Sequence, residues 1–461
     1  MSLSVGFISL GCSKNLVDTQ VMAGFLKEGK ITLAHSPEEA DVILINTCAF
    51  IQDAREEAAE AILQACEQKK HGLCRAVIVA GCMVQRYRDK LAEVFPDVDA
   101  FLGVDHLESI TEIVNRLDTG TLQKRVIATS RKPHKLYNPA YPTLIFSGGP
   151  FGYLKIAEGC DHRCAFCAIP GIRGSYRSRR REDLLQEATS LLNAGVKELN
   201  LIAQDVMRYG TDLSADRKPQ LVAFLREIDN LDGDFWFRLL YGYPSAVTED
   251  LLELLATSRH ACRYLDVPIQ HASPKILRAM GRADAIEGTL TLTERLRQAV
   301  PGITLRTTCL VGFPGETDDD FEELLDFIRA AKFDHLGVFP YSPEEGTRAF
   351  DLPDLPPQEV AEERAERLLA TQRRIVRERA KKELVGRKDT ALLIRKDSKG
   401  WIARLPRQAP EVDGVTYVTG IPPKAAPGTF CPVRITQYRG YDLYAEKLRS
   451  GKTGKRESSN A

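Results

Sequence analysis

The stretch Glu158-Gly-Cys-Asp-His-Arg-Cys-Ala-Phe-Cys167 places three cysteines and one histidine within ten residues. Tetrahedral zinc is usually held by four protein ligands, and His162 is the near candidate for a fourth ligand here. Iron–sulfur clusters are also usually bound by four thiolates. A cluster held by Cys160, Cys164 and Cys167 alone would leave one iron with an open coordination position. The spacing therefore leaves two alternatives, a structural zinc site and a cluster that binds a small molecule directly.

This spacing resembles the signature of the radical S-adenosylmethionine (SAM) enzymes, in which an aromatic residue, here Phe166, precedes the last cysteine. The resemblance implies a 4Fe–4S cluster whose open iron is chelated by the amino and carboxylate groups of SAM. One electron from the cluster would cleave SAM to methionine and a 5′-deoxyadenosyl radical. The segment Leu310–Thr317 resembles the family's glycine-containing strand near the adenine, where Gly312 would permit a close backbone approach. An ordinary strand followed by a Pro-Gly turn is the alternative for this segment.

Three polar residues of the same region are candidates for contacts with SAM. Gln204 and Asp205 follow the apolar run Leu201-Ile-Ala, and they would hold the methionyl end of the cofactor or, alternatively, cap a helix. Arg306 lies inside an otherwise buried strand pattern, so it requires an anionic partner. That partner would be the carboxylate of the cofactor or a structural carboxylate.

A second set of three cysteines lies in the first hundred residues. Cys12, Cys48 and Cys82 each follow a different apolar run by one to three residues. The carboxyl ends of parallel strands meet at one edge of a sheet, where such folds bind their ligands, so we expect the three thiols to meet. They predict a second cluster with an open iron. The other cysteines are interpreted as ordinary buried or surface residues: Cys66, Cys74, Cys262, Cys309 and Cys431.

Hydrophobic periodicity predicts three domains of different architecture. Residues 1–135 alternate strand and helix signals, which indicates an open parallel α/β sheet. Residues 146–380 contain six strand-helix units, which suit a partial (β/α)6 barrel. Residues 381–447 carry five short runs of β-branched and aromatic residues, which indicate a small antiparallel β-barrel. Residues 448–461 are polar and are predicted to form a disordered tail.

The order of these domains resembles the methylthiotransferases, with the last barrel similar to the RNA-binding TRAM module. Four segments resemble the branch that modifies an aspartate β-carbon in ribosomal protein S-12: Ser9–Asp18, Tyr153–Cys160, Ile169–Gly174 and Gln408–Gly414. The alternative branch acts on isopentenyl- or threonylcarbamoyl-adenosine in tRNA. A rival of another class is a non-catalytic RNA-binding protein with structural clusters, which would be expected to carry complete sets of four ligands.

The resemblance implies a reaction in two steps. A sulfide on the open iron of the second cluster would take a methyl group from SAM by polar displacement. A second SAM molecule would then be cleaved reductively, and its radical would remove hydrogen from the substrate carbon. General bases cannot perform this step, because a C–H bond at the β-carbon of aspartate has no accessible pKa. The two clusters must therefore face each other across the substrate.

Composition and charge limit where the protein can be located and which partners it can bind. The chain is 43% hydrophobic and 27% charged, has no basic leader and no apolar run of membrane-spanning length, so a cytoplasmic location without membrane contact is expected. Residues 381–461 contain 17 Lys and Arg against 8 Asp and Glu, a net charge of +9. This excess predicts a polyanionic partner, although a solvated surface is the alternative.

The candidate substrate-binding residues of the last barrel are Arg434, Tyr438 and Arg439, because arginines interleaved with aromatic residues suit RNA. The predicted partners are ribosomal protein S-12, free or in the small subunit, and ribosomal RNA as a further contact. A flavodoxin or ferredoxin is the expected electron donor. If a ribosomal protein is the substrate, the barrel would recognise a protein loop, alone or together with ribosomal RNA.

Overall fold

The computed structural model describes residues 3–146, 149–398 and 400–448. Its N-terminal domain is a six-stranded sheet with the strand order β2-β1-β3-β4-β5-β6, and every pairing is parallel. Its elements are β1 (Ser4–Ser9), α1 (Ser13–Glu28), β2 (Thr32–Leu33), β3 (Val42–Thr47), α2 (Gln52–His71), β4 (Ala76–Gly81), α3 (Cys82–Tyr87), α4 (Asp89–Val94), β5 (Ala100–Leu102), α5 (Ile110–Asp118) and β6 (Val126–Ala128). Strands β3 and β4 are buried at every residue, as continuous apolar runs covered on both faces should be.

The central domain is a parallel six-stranded sheet with the order β14-β13-β12-β11-β10-β7, and it confirms the predicted partial barrel. The barrel elements are β7 (Phe151–Lys155), β8 (Ala157–Glu158), α6 (Ile169–Arg173), β9 (Arg177–Ser178), α7 (Arg181–Asn193), β10 (Glu198–Ile202), α8 (Leu221–Asp229), β11 (Trp236–Leu239), α9 (Glu249–Thr257), β12 (Ala261–Asp266), α10 (Pro274–Ala279), α11 (Ile286–Ala299), β13 (Thr304–Val311), α12 (Asp318–Ala331), β14 (His335–Pro340) and α13 (Gln358–Arg379). The small hairpin of β8 and β9 was not predicted, since two-residue strands carry no periodicity.

The C-terminal domain is a closed barrel of five strands. The strands are β15 (Lys388–Asp397), β16 (Gly400–Arg404), β17 (Thr416–Thr419), β18 (Phe430–Arg439) and β19 (Asp442–Lys447). Four of the five pairings are antiparallel, as predicted, whereas β17 and β19 run parallel. The prediction of a disordered tail concerns residues 448–461, of which 449–461 lie outside the described residues.

The loop between β16 and β17, here called the plug loop (residues 406–414), enters the central barrel. The buried Asp413 carboxylate accepts hydrogen bonds from the Tyr264 hydroxyl at 2.8 Å and from Arg306 at 2.9 Å. Glu411 accepts one from the Tyr153 hydroxyl at 2.7 Å. The central and C-terminal domains therefore contact each other through hydrogen bonds inside the central barrel as well as at their surfaces.

Within the described ranges, no helix is long and apolar enough to cross a membrane.

Candidate active site

The N-terminal cysteines lie at the carboxyl ends of three adjacent parallel strands. Cys12 follows β1 and precedes α1, Cys48 follows β3, and Cys82 follows β4 as the first residue of α3. All three are free thiols, with Cys12 exposed, Cys48 half-buried and Cys82 buried. The sheet topology thus gathers at one edge residues that are about 35 positions apart in the chain.

Glycines before two of these cysteines allow the thiols to approach. Gly11 has a φ of +88°, and a Cβ there would lie 2.7 Å from the Cβ of Cys48. Gly81 has a φ of +98°, and a Cβ there would lie 2.2 Å from the side-chain oxygen of Asn46. A side chain at either position would collide with the next strand, so the Gly-Cys pairs are required by this geometry.

Burial makes two of these thiols, Cys48 and Cys82, weaker acids than a free cysteine. It raises the pKa of Cys82 to about 12, although the Arg173 guanidinium opposes the shift. Burial also raises the pKa of Cys48 above its ordinary value. A thiolate in this environment requires neighbouring positive charge, and a bound metal would supply it.

The central cysteines lie in the loop between β8 and α6, next to the carboxyl end of β7. Cys160, Cys164 and Cys167 are half-buried and free. Burial raises the pKa of Cys160 to about 11 and that of Cys167 to about 12, and Cys164 is an electrostatic neighbour of both. The three thiols thus share one loop and one electrostatic environment.

Neither set has the geometry of a mononuclear site. Among the described residues, no three His, Cys, Asp or Glu side chains are placed to hold a single metal ion. His162, the candidate zinc ligand, instead lies 2.7 Å from the Asp205 carboxylate and stacks on Tyr243 with ring centroids 4.0 Å apart. Both sets retain only three thiols, and in a cuboidal cluster each thiol would bind a different iron.

Four buried charged side chains join the two cysteine-bearing domains. Asp18 of α1 pairs with Lys155 of β7 at 2.6 Å and with Arg173 of α6 at 2.8 Å. Glu158 pairs with the same two cations at 2.8 and 3.1 Å. Burial alone would raise the pKa of Glu158, but Arg173 and Lys155 outweigh it and hold the pKa below its ordinary value. We call these four residues the interdomain charge network.

A second contact between the domains lies beside Cys48 and Cys82. The buried Glu344 carboxylate pairs with Arg55 and Arg86 of the N-terminal domain. Arg86 also donates to the carbonyl of Ala49, next to Cys48, at 2.9 Å. The cysteine-bearing edge of the first sheet is therefore held against the central domain at two separate places.

The candidate cofactor residues Gln204 and Asp205 lie beside the central cysteine loop. Gln204 donates to Glu158 at 2.7 Å, and its own side-chain oxygen is buried without a partner in the described part of the chain. Asp205 accepts from the backbone N–H of Met207 and so caps the short helix Val206–Arg208. The capping alternative thus describes one oxygen of Asp205, while the other oxygen contacts His162.

The other two candidate cofactor residues have structural partners. Arg306 pairs with Asp413 of the plug loop at 2.9 Å and lies 3.7 Å from Asp266, so the structural-carboxylate alternative describes its contacts. Gly312 has a φ of +73°, and a Cβ there would lie 2.3 Å from the Cβ of Ala361 in α13. The close approach that Gly312 permits in this structure is the packing of α13.

The candidate substrate residues Arg434, Tyr438 and Arg439 lie on β18. Arg434 and Arg439 are exposed, and the Arg439 guanidinium lies 5.4 Å from the ring of Tyr444. Tyr438 lines a small cleft with Arg379, beside the amino-terminal end of β14. The amino-terminal end of the central barrel, where this cleft lies, is opposite to the carboxyl ends of its strands, where the loop with Cys160, Cys164 and Cys167 lies.

The interdomain charge network was missed in the sequence. Its residues all lie within segments that resemble the methylthiotransferases: Asp18, Lys155, Glu158 and Arg173. The available signal was Lys155, a charge within the apolar run of a buried strand, which requires an anionic partner. The local sequence pattern does not indicate that Asp18, in another domain, is a partner.

Comparison with family models gives three matches in the order of the domains. Residues 4–103 match the family described as "Uncharacterized protein family UPF0004". Residues 154–328 match the radical SAM superfamily, and residues 385–447 match the TRAM domain. A solved structure with a similar fold is the radical SAM methyltransferase TsrM of Kitasatospora setae, with a TM-score of 0.55 and 17% identity over 76% of this chain and 77% of that chain.

Curated relatives match almost the whole chain. The "Ribosomal protein uS12 methylthiotransferase RimO" of Pelotomaculum thermopropionicum is 44% identical over 97% of this chain and 100% of its own length. The protein of the same name from Symbiobacterium thermophilum is 43% identical over 96% of this chain and 91% of its own length. With this identity across all three domains, and with both cysteine sets at the strand ends, the chain belongs to the family of the ribosomal protein uS12 methylthiotransferases.

Proposed function

We propose that this protein is a radical SAM methylthiotransferase that adds a methylthio group to the β-carbon of an aspartate in ribosomal protein uS12. The observation that carries the proposal is that the two domains that bear the three-cysteine sets contact each other beside Cys82. Arg173 lies six residues after Cys167, the last cysteine of the central set (here the first set), and it contacts Cys82 of the N-terminal set (the second set). The full-length similarity to relatives that bear this name supports the same substrate.

In this proposal, each cysteine set holds a 4Fe–4S cluster that keeps one iron open. When bound, the first cluster supplies the electron that cleaves SAM to a 5′-deoxyadenosyl radical, and the second supplies sulfur and accepts the electron released as the C–S bond forms. Cys160, Cys164 and Cys167 would hold the first cluster, and Cys12, Cys48 and Cys82 the second. Three free thiols in each set, none placed for a mononuclear ion, are the donor set that such clusters use.

The protein itself would supply position and exclusion of water. Hydrogen abstraction requires contact between the radical carbon and the substrate carbon, so both must be held rigidly. The interdomain charge network fixes the two cysteine-bearing domains together, because all four of its side chains are buried and paired. Gln204, whose buried side-chain oxygen has no hydrogen-bond partner among the described residues, would accept a hydrogen bond from the amino group of SAM.

Anaerobic reconstitution tests this proposal. We expect about eight irons per chain and release of 5′-deoxyadenosine from SAM under dithionite. Fewer than about seven irons, or no 5′-deoxyadenosine, would contradict the two-cluster reading.

Two cysteine variants test the division of labour between the sets. Cys164→Ala should abolish 5′-deoxyadenosine while retaining the N-terminal cluster. Cys48→Ala should still produce 5′-deoxyadenosine but lose methylthiolation. Equal loss of SAM cleavage in both variants would show that the assignment of the two sets is wrong.

The substrate is tested separately from the chemistry. In a deletion strain, the uS12 peptide should lose methylthioaspartate while tRNA retains methylthioadenosine. The opposite result would favour the tRNA alternative, which shares the chemistry. The TRAM domain suits contact with ribosomal RNA near uS12, and a flavodoxin or ferredoxin would provide electrons.

A further inference from the structure

Arg173 belongs to the central domain but donates hydrogen bonds to a sulfur of the N-terminal domain. Its Nε and Nη2 atoms lie 3.3 and 3.1 Å from the Sγ of Cys82. Its Nη1 atom faces Asp18 and Glu158 at 2.8 and 3.1 Å. The planar guanidinium therefore makes two kinds of contact. Its Nε–Nη2 edge donates to the Cys82 sulfur, and its Nη1 end pairs with the carboxylates of Asp18 and Glu158. An ammonium group could not make this arrangement, because it lacks the two-pronged edge.

The backbone holds this contact in place. Helix α6 ends at Arg173, and the preceding residue, Ile172, is fully buried in the hydrophobic core of the N-terminal domain together with Val84. Asn15 of α1 accepts a further hydrogen bond from Nη2 at 2.6 Å. The guanidinium therefore has little freedom to leave the sulfur, and little water competes for it, since Arg173 is 2% exposed.

We propose that Arg173 sets the reduction potential of the cluster held by Cys12, Cys48 and Cys82, through two charge-assisted hydrogen bonds to the Cys82 sulfur. Hydrogen bonds to ligand sulfurs and local charge are among the factors that set the potentials of iron–sulfur clusters. Donation to sulfur stabilises the more negative, reduced state, and it does so strongly in a site from which water is excluded. The inference rests on the proposed function in one respect, namely that the second set holds a cluster.

The corresponding contact at the first set is weaker. Arg282 lies 3.9 Å from the Sγ of Cys164, at the outer limit for a hydrogen bond to sulfur. Its other terminal nitrogen donates to the carbonyl of Pro268 at 2.8 Å, and its guanidinium lies over the ring of Tyr243. By these contacts, the second cluster would stabilise an added electron better than the first, as suits the acceptor of the electron released by C–S bond formation.

A potentiometric titration followed by electron paramagnetic resonance tests this role. The full chain is used with Cys160, Cys164 and Cys167 replaced by Ala, so that only the second set binds iron. In this background Arg173→Gln removes the charge, whereas Arg173→Lys keeps a cation beside Asp18 and Glu158 but loses the two-pronged edge that contacts Cys82. Arg55→Gln is the matched control, because Arg55 pairs with Glu344 across the same interface and contacts no sulfur.

We expect Arg173→Gln to lower the ratio of reduced to oxidised cluster at a fixed solution potential at least about tenfold, equivalent to about 59 mV for one electron. Arg173→Lys should give a smaller shift in the same direction, and Arg55→Gln none. Equal midpoints for the background and both Arg173 variants, or a shift in Arg55→Gln as large as in Arg173→Gln, would overturn the role of Arg173. So would failure of both Arg173 variants to bind iron while Arg55→Gln binds it. A background protein without any cluster would instead show that the proposed function is wrong.

Discussion

The plug loop should couple the stability of the C-terminal barrel to that of the central domain, and Asp413 is the residue that tests it. The Asp413 carboxylate is fully buried. It accepts from the Tyr264 hydroxyl at 2.8 Å, from Arg306 at 2.9 Å and from the backbone N–H of Ala409 at 2.7 Å. Asp413→Ala removes these three hydrogen bonds and the 3.2 Å contact with Nδ1 of His335, while Asp413→Asn keeps the shape and loses the charge.

The size of the effect follows from the groups left behind. Without Asp413, Arg306 keeps a 3.3 Å hydrogen bond to the carbonyl of Val412, and the nearest carboxylate among the described residues is that of Asp266, 3.7 Å away. Removing one partner of a buried ion pair costs about 3–5 kcal/mol, because the other charge stays buried. Asp413→Asn should cost about 1.5–3 kcal/mol, the usual contribution of a hydrogen bond to a charged group.

The assay uses the two tryptophans of the chain, which lie on either side of the junction. Trp236 begins β11 of the central domain and Trp401 lies in β16 of the last barrel. Variants with one tryptophan replaced by Phe follow one site each, which a multidomain chain requires. Trp401 reports the last barrel, and Trp236, whose ring centroid lies 4.8 Å from that of Phe430, reports the central domain together with its contact with that barrel. Asp413→Ala should lower both midpoints by roughly 1–2 M urea, given a slope of about 3 kcal/mol per molar.

Asp326→Ala is the control, since Asp326 forms an exposed pair with Arg329 that contributes at most about 1 kcal/mol. A shift confined to the Trp401 signal would show that the plug loop belongs to the last barrel alone. Shifts of both signals no larger than those of Asp326→Ala would refute the coupling.

Two further outcomes are expected. Burial lowers the pKa of His271 to about 4, so the unfolded chain binds one more proton between about pH 6.5 and 4 and stability falls as the pH is lowered through that range. His271→Gln should remove up to about 2 kcal/mol of this pH dependence between pH 5 and 7, measured by urea unfolding, and an unchanged dependence would contradict the assignment to His271. Gly11→Ala should displace Cys48 and lower the iron bound by the N-terminal set, whereas Gly120→Ala, which also has a positive φ but no atom within 4 Å of the new Cβ, should retain it. Equal iron contents would show that the close approach of Gly11 is not needed.

The fold could be predicted where strands are long and buried. Strands β3 and β4 appear in the sequence as apolar runs, and their parallel order follows from the alternation with helices. Strands β2 and β6, of two and three residues, were missed because so few positions show no period. The gathering of Cys12, Cys48 and Cys82 at one edge followed from a rule about strand ends that needs no knowledge of side-chain contacts.

Contacts between domains could not be predicted in the same way. Arg306 clearly required an anion, but Asp413 is 107 positions away and lies in a different domain. The segment Gln408–Gly414 stood out in the sequence only as a family likeness, and nothing in its composition indicates that it enters a barrel. A charged residue in a buried strand indicates that an oppositely charged partner is needed. Which residue that partner is depends on how whole domains dock on each other.

The interdomain charge network also has a consequence for biosynthesis. The N-terminal domain leaves the ribosome first, and its residue Asp18 has no cation to pair with until Lys155 and Arg173 have been synthesised. Up to that point the carboxylate is stable only in water, so the edge that carries Cys12 stays open to solvent. A cluster assembled there before docking would be open to oxygen and to chelators. Iron delivery to the second set is therefore expected to be safest after the central domain has been synthesised and has folded against the first.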